Sequence, residues 1–304
     1  MKSGGKMSLR PFKSQPPKGP AVPVSIHELS ESHPFYPASD EMLCALSGQY
    51  CIYQLLKGHK FTTDDVFTSA MAVLYSKHFP DPSELEYMDM GCGLGAVLLM
   101  TTWALNPKSI VGIEAQKVHY RLCSKSLVFN DLNSKVQLFN HDLRSIDSLP
   151  LQLHSFDLIT GTPPYFPLEN GPLPDISARA KCAFEIRGGI EVYFEAASKY
   201  LSKKPSSRFI VCQTWLEIKR TEKAADSTGF QILERWDIFG KLGKRNPLFC
   251  VFACAWKDPQ VSEKCIVTTM GVRDEKGRYT RKTIEIMQLL GKPIPSDYDP
   301  DDVE

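Results

Sequence analysis

A chain of 304 residues with 42% hydrophobic content can bury one catalytic-sized α/β core with additions at its ends. Its formal net charge of +1 excludes a strong protein-wide positive field, so any nucleic-acid surface must be a local patch. Nine cysteines without a C-x-x-C pair or zinc-like His/Cys spacing fit a metal-free, reducing, intracellular setting, cytoplasmic in the first instance, and no apolar run approaches the ~18 residues of a membrane helix.

Residues 1–25 are rich in Pro, Gly, Lys and Ser, lack acidic residues, and are expected to form a disordered basic arm. Lys2, Lys6, Arg10, Lys13 and Lys18 there either stay solvated or brush phosphates. Five prolines between Pro11 and Pro23 argue against the amphipathic helix of a transit peptide. One folded domain is expected over 26–293, as an N-terminal extension at 26–80 and a core at 81–293, with an acidic flexible tail at 294–304. His33 to Gly58 is expected to be irregular or weakly helical. Thr62 or Thr63 can cap a helix starting near Asp64, whose acidic first turn suits the helix dipole.

A short strand from Glu86 leads into Gly91-x-Gly93-x-Gly95, and a helix with apolar Ala96, Leu99, Met100, Trp103 and Ala104 follows. Glycines at a strand-to-helix turn let the backbone approach a ligand closely. Ser109 to Glu114 is a second strand ending in a carboxylate, about 20 positions after the glycines, where an acid can accept both hydroxyls of a ribose. A helix over Gln116–Asn130 and a strand over Val136–Phe139 come next. Asp142, with Leu143 beside it, is placed to accept a hydrogen bond from an adenine amine.

The fourth strand, Phe156–Ile159, runs into Gly161-Thr162-Pro163-Pro164-Tyr165-Phe166. Each proline lacks an amide hydrogen and holds φ near about −65°. The strand therefore ends as a stiff ledge at the carboxyl edge, where open α/β sheets bind ligands. Pro167–Pro174 reads as a loop, and Arg179 beyond it either holds a phosphate or pins the loop to an acid. Glu191–Leu201 reads as a helix and Arg208–Cys212 as a strand, with Ile232–Ile238 and Leu248–Trp256 as an antiparallel pair. Lys241, Lys244 and Arg245 on their connection form a substrate crossing or a solvated turn. Strand Lys264–Met270, a turn at Lys276-Gly277 and helix Thr280–Leu290 complete the chain.

Such alternation implies a doubly wound, mostly parallel sheet. G-x-G-x-G after Asp89, with a ledge closing the fourth strand, suits S-adenosylmethionine better than a dinucleotide, since its single nucleoside and charged amino-acid tail need no pyrophosphate cradle. Thr63, Asp64 and Asp89 are candidates for the cofactor's amino-acid end.

On these motifs the chain resembles the class I S-adenosylmethionine-dependent methyltransferases, whose fold is Rossmann-like with seven strands. Within them it is similar to the amino-methylating group carrying (Asn/Asp/Ser)-Pro-Pro-aromatic, and most similar to the bacterial-type tRNA adenine-N6 methyltransferases acting on position 37 of valine tRNA. Four stretches carry the likeness: Phe61–Val66, Asp89–Gly95, Thr160–Phe166 and Asp274–Thr280. Thr162 departs from the family's Asn and offers a hydroxyl in place of an amide oxygen. The resemblance implies an RNA substrate, tRNA in particular, and methylation of an adenine N6 amine without a metal. Thr162 Oγ1 and the Pro163 carbonyl would accept the amine hydrogens, Pro164 would stiffen the ledge, Tyr165 would stack on the base, and Phe166 would contact substrate. Methylation of a protein glutamine amide, or a non-catalytic RNA- or protein-binding module, stand as alternatives. The former predicts a separate N-terminal helical recognition domain.

Overall fold

The computed structural model describes residues 29–166, 185–258, 260 and 264–294. The basic arm at 1–25, Pro167–Pro174, Arg179 and the tail at Asp297–Glu304 lie outside the described residues.

The stretch expected to be irregular or weakly helical instead holds two antiparallel strands, β1 (Glu41–Ser47) and β2 (Tyr50–Leu55), with Leu43 opposite Tyr53. Almost all of β2 is buried, so it carries no two-residue polar alternation for a sequence to display. Then follow α1 (Thr63–Tyr75), β3 (Glu86–Met90), α2 (Ala96–Leu105), β4 (Ser109–Ile113), α3 (Lys117–Phe129), β5 (Val136–Phe139) and β6 (Leu158–Gly161). The second half contributes α4 (Ile190–Tyr200), β7 (Arg208–Thr214), α5 (Ile218–Ser227), β8 (Phe230–Phe239), β9 (Phe249–Trp256), β10 (Ile266–Gly271) and α6 (Arg281–Leu289).

The main sheet has eight strands, in the order β10-β8-β9-β7-β6-β3-β4-β5. Seven were expected, and the eighth is β10, which joins the outer edge parallel to β8 with Gly271 opposite Phe239. β9 alone runs against its neighbours β7 and β8. Apolar side chains from α1, α2, α3, α6 and the hairpin cover one face, and those from α4 and α5 cover the other. Alternate residues of β7 show the division: Ile210 and Cys212 pack toward the first face, Phe209 and Val211 toward the second. Strands buried on both sides are mostly apolar, which leaves the carboxyl edge as the place where polar groups converge.

The hairpin is fixed to the core by polar contacts that replace strand neighbours. Asn130, at the end of α3, accepts from Cys51 N at 2.9 Å and donates to Cys51 O at 2.7 Å. Ser126 Oγ accepts from Tyr53 N at 3.0 Å. Buried Glu41 takes Arg121 Nη1 at 2.5 Å and Lys125 Nζ at 2.6 Å, so its charge leaves water already paired. At the hairpin tip Gly48 N donates to Gly291 O at 2.7 Å, closing the extension onto the end of the described chain. Asn130→Ala would orphan both backbone groups of Cys51. It is expected to lower unfolding free energy by about 2–4 kcal/mol, read as a lower urea midpoint at unchanged m-value.

Candidate active site

A cleft of about 490 Å³ opens at the carboxyl ends of β3, β4 and β6, within the size range of small-molecule sites. Gly91 and Gly93 line it with φ of +61° and +56°, a left-handed conformation that favours glycine. A Cβ at Gly93 would meet nothing within 4 Å, so the loop backbone faces open cleft, whereas one at Gly91 would fall 2.1 Å from Tyr193 Oη. Glu114 follows β4 and is buried; its Oε2 accepts from Gly93 N at 2.9 Å and its Oε1 from Gln116 N at 2.6 Å. Burial pushes the carboxyl above its ordinary range, while those two amides pull the other way.

Asp142 and Leu143 line the same cleft after β5. Arg144 donates to both Asp142 oxygens, at 3.0 and 2.8 Å, and holds that carboxyl below the usual carboxylate range. Arg187, unremarked in the sequence, reaches the cleft from the far side and lies 3.8 Å from Asp142. A fork on α5 places it: Arg220 binds Glu185 at 2.7 and 2.8 Å and Glu191 at 2.5 and 2.6 Å. Histidines 59, 119 and 141 also line the cleft without having been singled out. His119 is buried with its ring centroid 6.0 Å from that of His59, and burial foremost lowers its pKa to about 4. Nothing in the spacing of these residues links them, because they meet only through the sheet order β6-β3-β4-β5.

Thr162, Pro163, Pro164, Tyr165 and Phe166 all line the cleft after β6. Thr162 is half-buried, and its hydroxyl has no hydrogen bond among the described residues. Tyr165 does not present its ring as a stacking platform. The ring packs against the core, and its hydroxyl donates to Asp64 Oδ2 at 2.7 Å and to Cys212 Sγ at 3.3 Å. Asp64 Oδ1 accepts from Thr62 Oγ1, so Asp64 ties the ledge to the start of α1. The exposed aromatic at the mouth is Phe166, and its carbonyl accepts from Glu185 N at 3.0 Å.

Other expected site residues lie off the cleft wall. Thr63 occupies the first turn of α1, where Thr62 and not Thr63 is the cap. Gly95 begins α2, and a Cβ there would lie 2.7 Å from Cys123 Sγ, so its role is helix packing. Asp89 is buried at the end of β3, accepting from Thr160 Oγ1 at 2.6 Å. Lys241, Lys244 and Arg245 lie between β8 and β9, on the same sheet edge but beyond β7 and β9 from the ledge.

No family model matches the sequence, and no curated protein does. Solved structures match by fold. A protein described as a predicted O-methyltransferase from Agrobacterium tumefaciens aligns with a TM-score of 0.53 at 14% identity, over 74% of this chain and 99% of its own. TYW2 of M. jannaschii, in complex with AdoMet, gives 0.48 at 13% identity over 73% and 89%. A ribosomal protein L11 methylase from Lactobacillus delbrueckii gives 0.44 at 14% identity over 65% and 81%. At such identities the likeness is one of fold, and the first of them shows the Rossmann-like arrangement found in methyltransferases.

Burial raises the Asp89 pKa to about 7, whereas an unfolded aspartate titrates near about 3.9. The folded state thus keeps a proton that the unfolded state loses. Its contribution to stability is complete below the lower value and is lost as pH rises through the upper one. Asp89→Asn, neutral throughout, is expected to gain on wild type by up to about 4 kcal/mol between roughly pH 4 and pH 8. Parallel urea melts across that window check this, and identical pH slopes would exclude Asp89 as the titrating group.

Proposed function

We propose that this chain is an S-adenosylmethionine-dependent methyltransferase acting on the exocyclic N6 amine of an adenine in RNA, tRNA foremost. One observation carries the reading: a single cleft holds both a carboxylate under an open glycine loop and a ledge of hydrogen-bond acceptors. A carboxylate offers about four acceptor positions, and the Gly93 and Gln116 amides each take one on Glu114. The remaining lone pairs suit the two hydroxyls of a ribose. Open space at Gly93 suits the close approach of a ligand to backbone. When bound, the cofactor would supply an electrophilic methyl group.

The residues of the chain would supply aim. An adenine amine is a weak nucleophile because its lone pair is delocalised into the ring. Thr162 Oγ1 and the Pro163 carbonyl, both without a partner among the described residues, can accept its two hydrogens. Holding them there favours a pyramidal nitrogen whose lone pair faces away from the ledge. Tyr165 and Asp64 keep that ledge in place. Phe166, 45% exposed at the mouth, suits the stacking role on a splayed base. Lys241, Lys244 and Arg245 remain substrate contacts outside the cleft. Within the N-terminal extension, residues 29–80 hold a hairpin fixed to α3 and the helix α1, and both pack onto the methyltransferase-like core.

Labelled cofactor, total RNA and digestion to nucleosides test the assignment directly, and label confined to protein would overturn it. Gly93→Val fills the open side of the loop, and Glu114→Ala removes the ribose acceptor. Each is expected to weaken S-adenosylmethionine binding at least about tenfold, or about 1.4 kcal/mol, in calorimetric titration of folded protein. Thr162→Val keeps shape but removes the hydroxyl, so single-turnover rates should fall roughly 10²-fold with little change in RNA affinity. Tyr165→Phe leaves the ring and frees Asp64. A loss of turnover larger than any loss of RNA binding is expected there, which assays of both quantities would show.

A further inference from the structure

Two loops far apart in sequence meet at the carboxyl end of β8 and β10. Leu242 N donates to Arg273 O at 2.8 Å, and the Leu242 side chain covers Gly271, where a Cβ would lie 2.4 Å from Leu242 Cγ. A Cβ on Gly243 would come within 3.0 Å of the Glu275 carboxylate. The connection after β8 and the turn before α6 are therefore one platform. Its turn is braced from within: Arg273 lies 4.0 Å from the Tyr279 ring centroid and donates to Gly277 O at 2.8 Å.

The charges of this platform are unevenly matched. Among the described residues, Asp274 pairs with Arg278 at 2.9 Å and Glu285 with Arg281 at 3.2 Å. Lys241, Lys244, Arg245 and Lys276 take part in neither pair, and the last three are exposed. A chain of net charge +1 thus gathers these four cations on one edge around the single unpaired carboxylate of Glu275, a surplus of three positive charges among the described residues. Between them and the cleft two leucines stand exposed, Leu216 after β7 by 74% and Leu248 before β9 by 61%. Strand order sets the row: Phe166, Leu216, Leu248, then the cations. At about 4.8 Å per strand, β8 lies about 14 Å and β10 about 19 Å from the ledge.

We propose that this platform, Lys276 included, holds the sugar–phosphate backbone of the RNA several nucleotides from the base in the cleft, with intervening bases lying on Leu216 and Leu248. The inference rests on the RNA-methylation reading above. Cations lacking carboxylate partners suit phosphates, which position a nucleic acid without reading its sequence. Apolar side chains between suit unstacked bases. Substrate choice then depends on the length and course of one flank, and a base with no flank reaches only half of the site.

The test compares an adenine-centred trinucleotide with a stem-loop carrying the same adenine, using full-length protein. Wild type should favour the stem-loop in kcat/KM. K241A/K244A/R245A/K276A should lose most of that preference, with thermal unfolding as the control for folding. Lys276→Ala alone should reduce the slope of log affinity against log salt by about 0.7, the value for one phosphate of a single strand. Leu216→Ser should lower stem-loop affinity without altering that slope. Stem-loop methylation with wild-type slope and preference in every variant would overturn the platform alone. Methyl transfer to neither RNA, or to a protein instead, would overturn the RNA reading and the platform with it.

Discussion

Glu114 accepts the Gly93 and Gln116 amides, and through that carboxylate the turns after β3 and β4 share one geometry. The backbone reinforces it: Cys92 N donates to Ile113 O at 2.9 Å, and Glu114 N to Phe139 O at 3.0 Å. Hydrogen bonds to a charged group contribute about 1.5–3 kcal/mol each, enough to offset part of the cost of burying the charge. The same burial keeps water from competing for the remaining lone pairs. A residue without a side-chain acceptor there would leave both amides unpartnered and remove the tie that holds the glycine loop in its left-handed turns.

The opposite wall depends on a different tie. Thr-Pro-Pro stiffens the chain after β6 but does not say where it points. Tyr165 decides that by donating to Asp64, which stands in the first turn of α1. Asp65 next to it anchors Thr62 N at 2.8 Å, and burial, then the charge of Asp64, pushes its carboxyl upward. Lys292 offsets these acids from the end of the described chain, its Nζ 3.3 Å from Leu46 O and 4.7 Å from the Phe61 ring centroid. Burial lowers the Lys292 pKa to about 8, with Asp65 opposing the shift. The hairpin, the helix start and the segment after α6 thus all bear on one side of the cleft.

Alternation of short apolar runs with amphipathic stretches was enough to establish the parallel sheet, because each strand had to be covered on both faces. Gly91, Gly93, Glu114 and Thr162–Phe166 were legible for a related reason. Residues at a strand's carboxyl end arrive at the same edge whatever the loops do, so local chemistry placed them. The hairpin at 41–55 was not legible, since burial of nearly all of β2 erased that strand's period and its hydrogen-bonding partners, Ser126 and Asn130, lie more than 70 positions away.

What the sequence determined by itself was therefore local: which segments form the main sheet, which turns must be glycine, and which acids and acceptors follow them. Tertiary structure decided the direction in which side chains face. Tyr165 and Phe166 are adjacent aromatics, of which the family resemblance assigns the stacking role to Tyr165, and only the position of α1 turns that ring inward and leaves Phe166 exposed. Arg187 and His119 joined the cleft, and Thr63, Asp89 and Gly95 left its wall, for the same reason. Pairing between distant segments is set by packing of whole layers against one another, and no spacing along the chain encodes it.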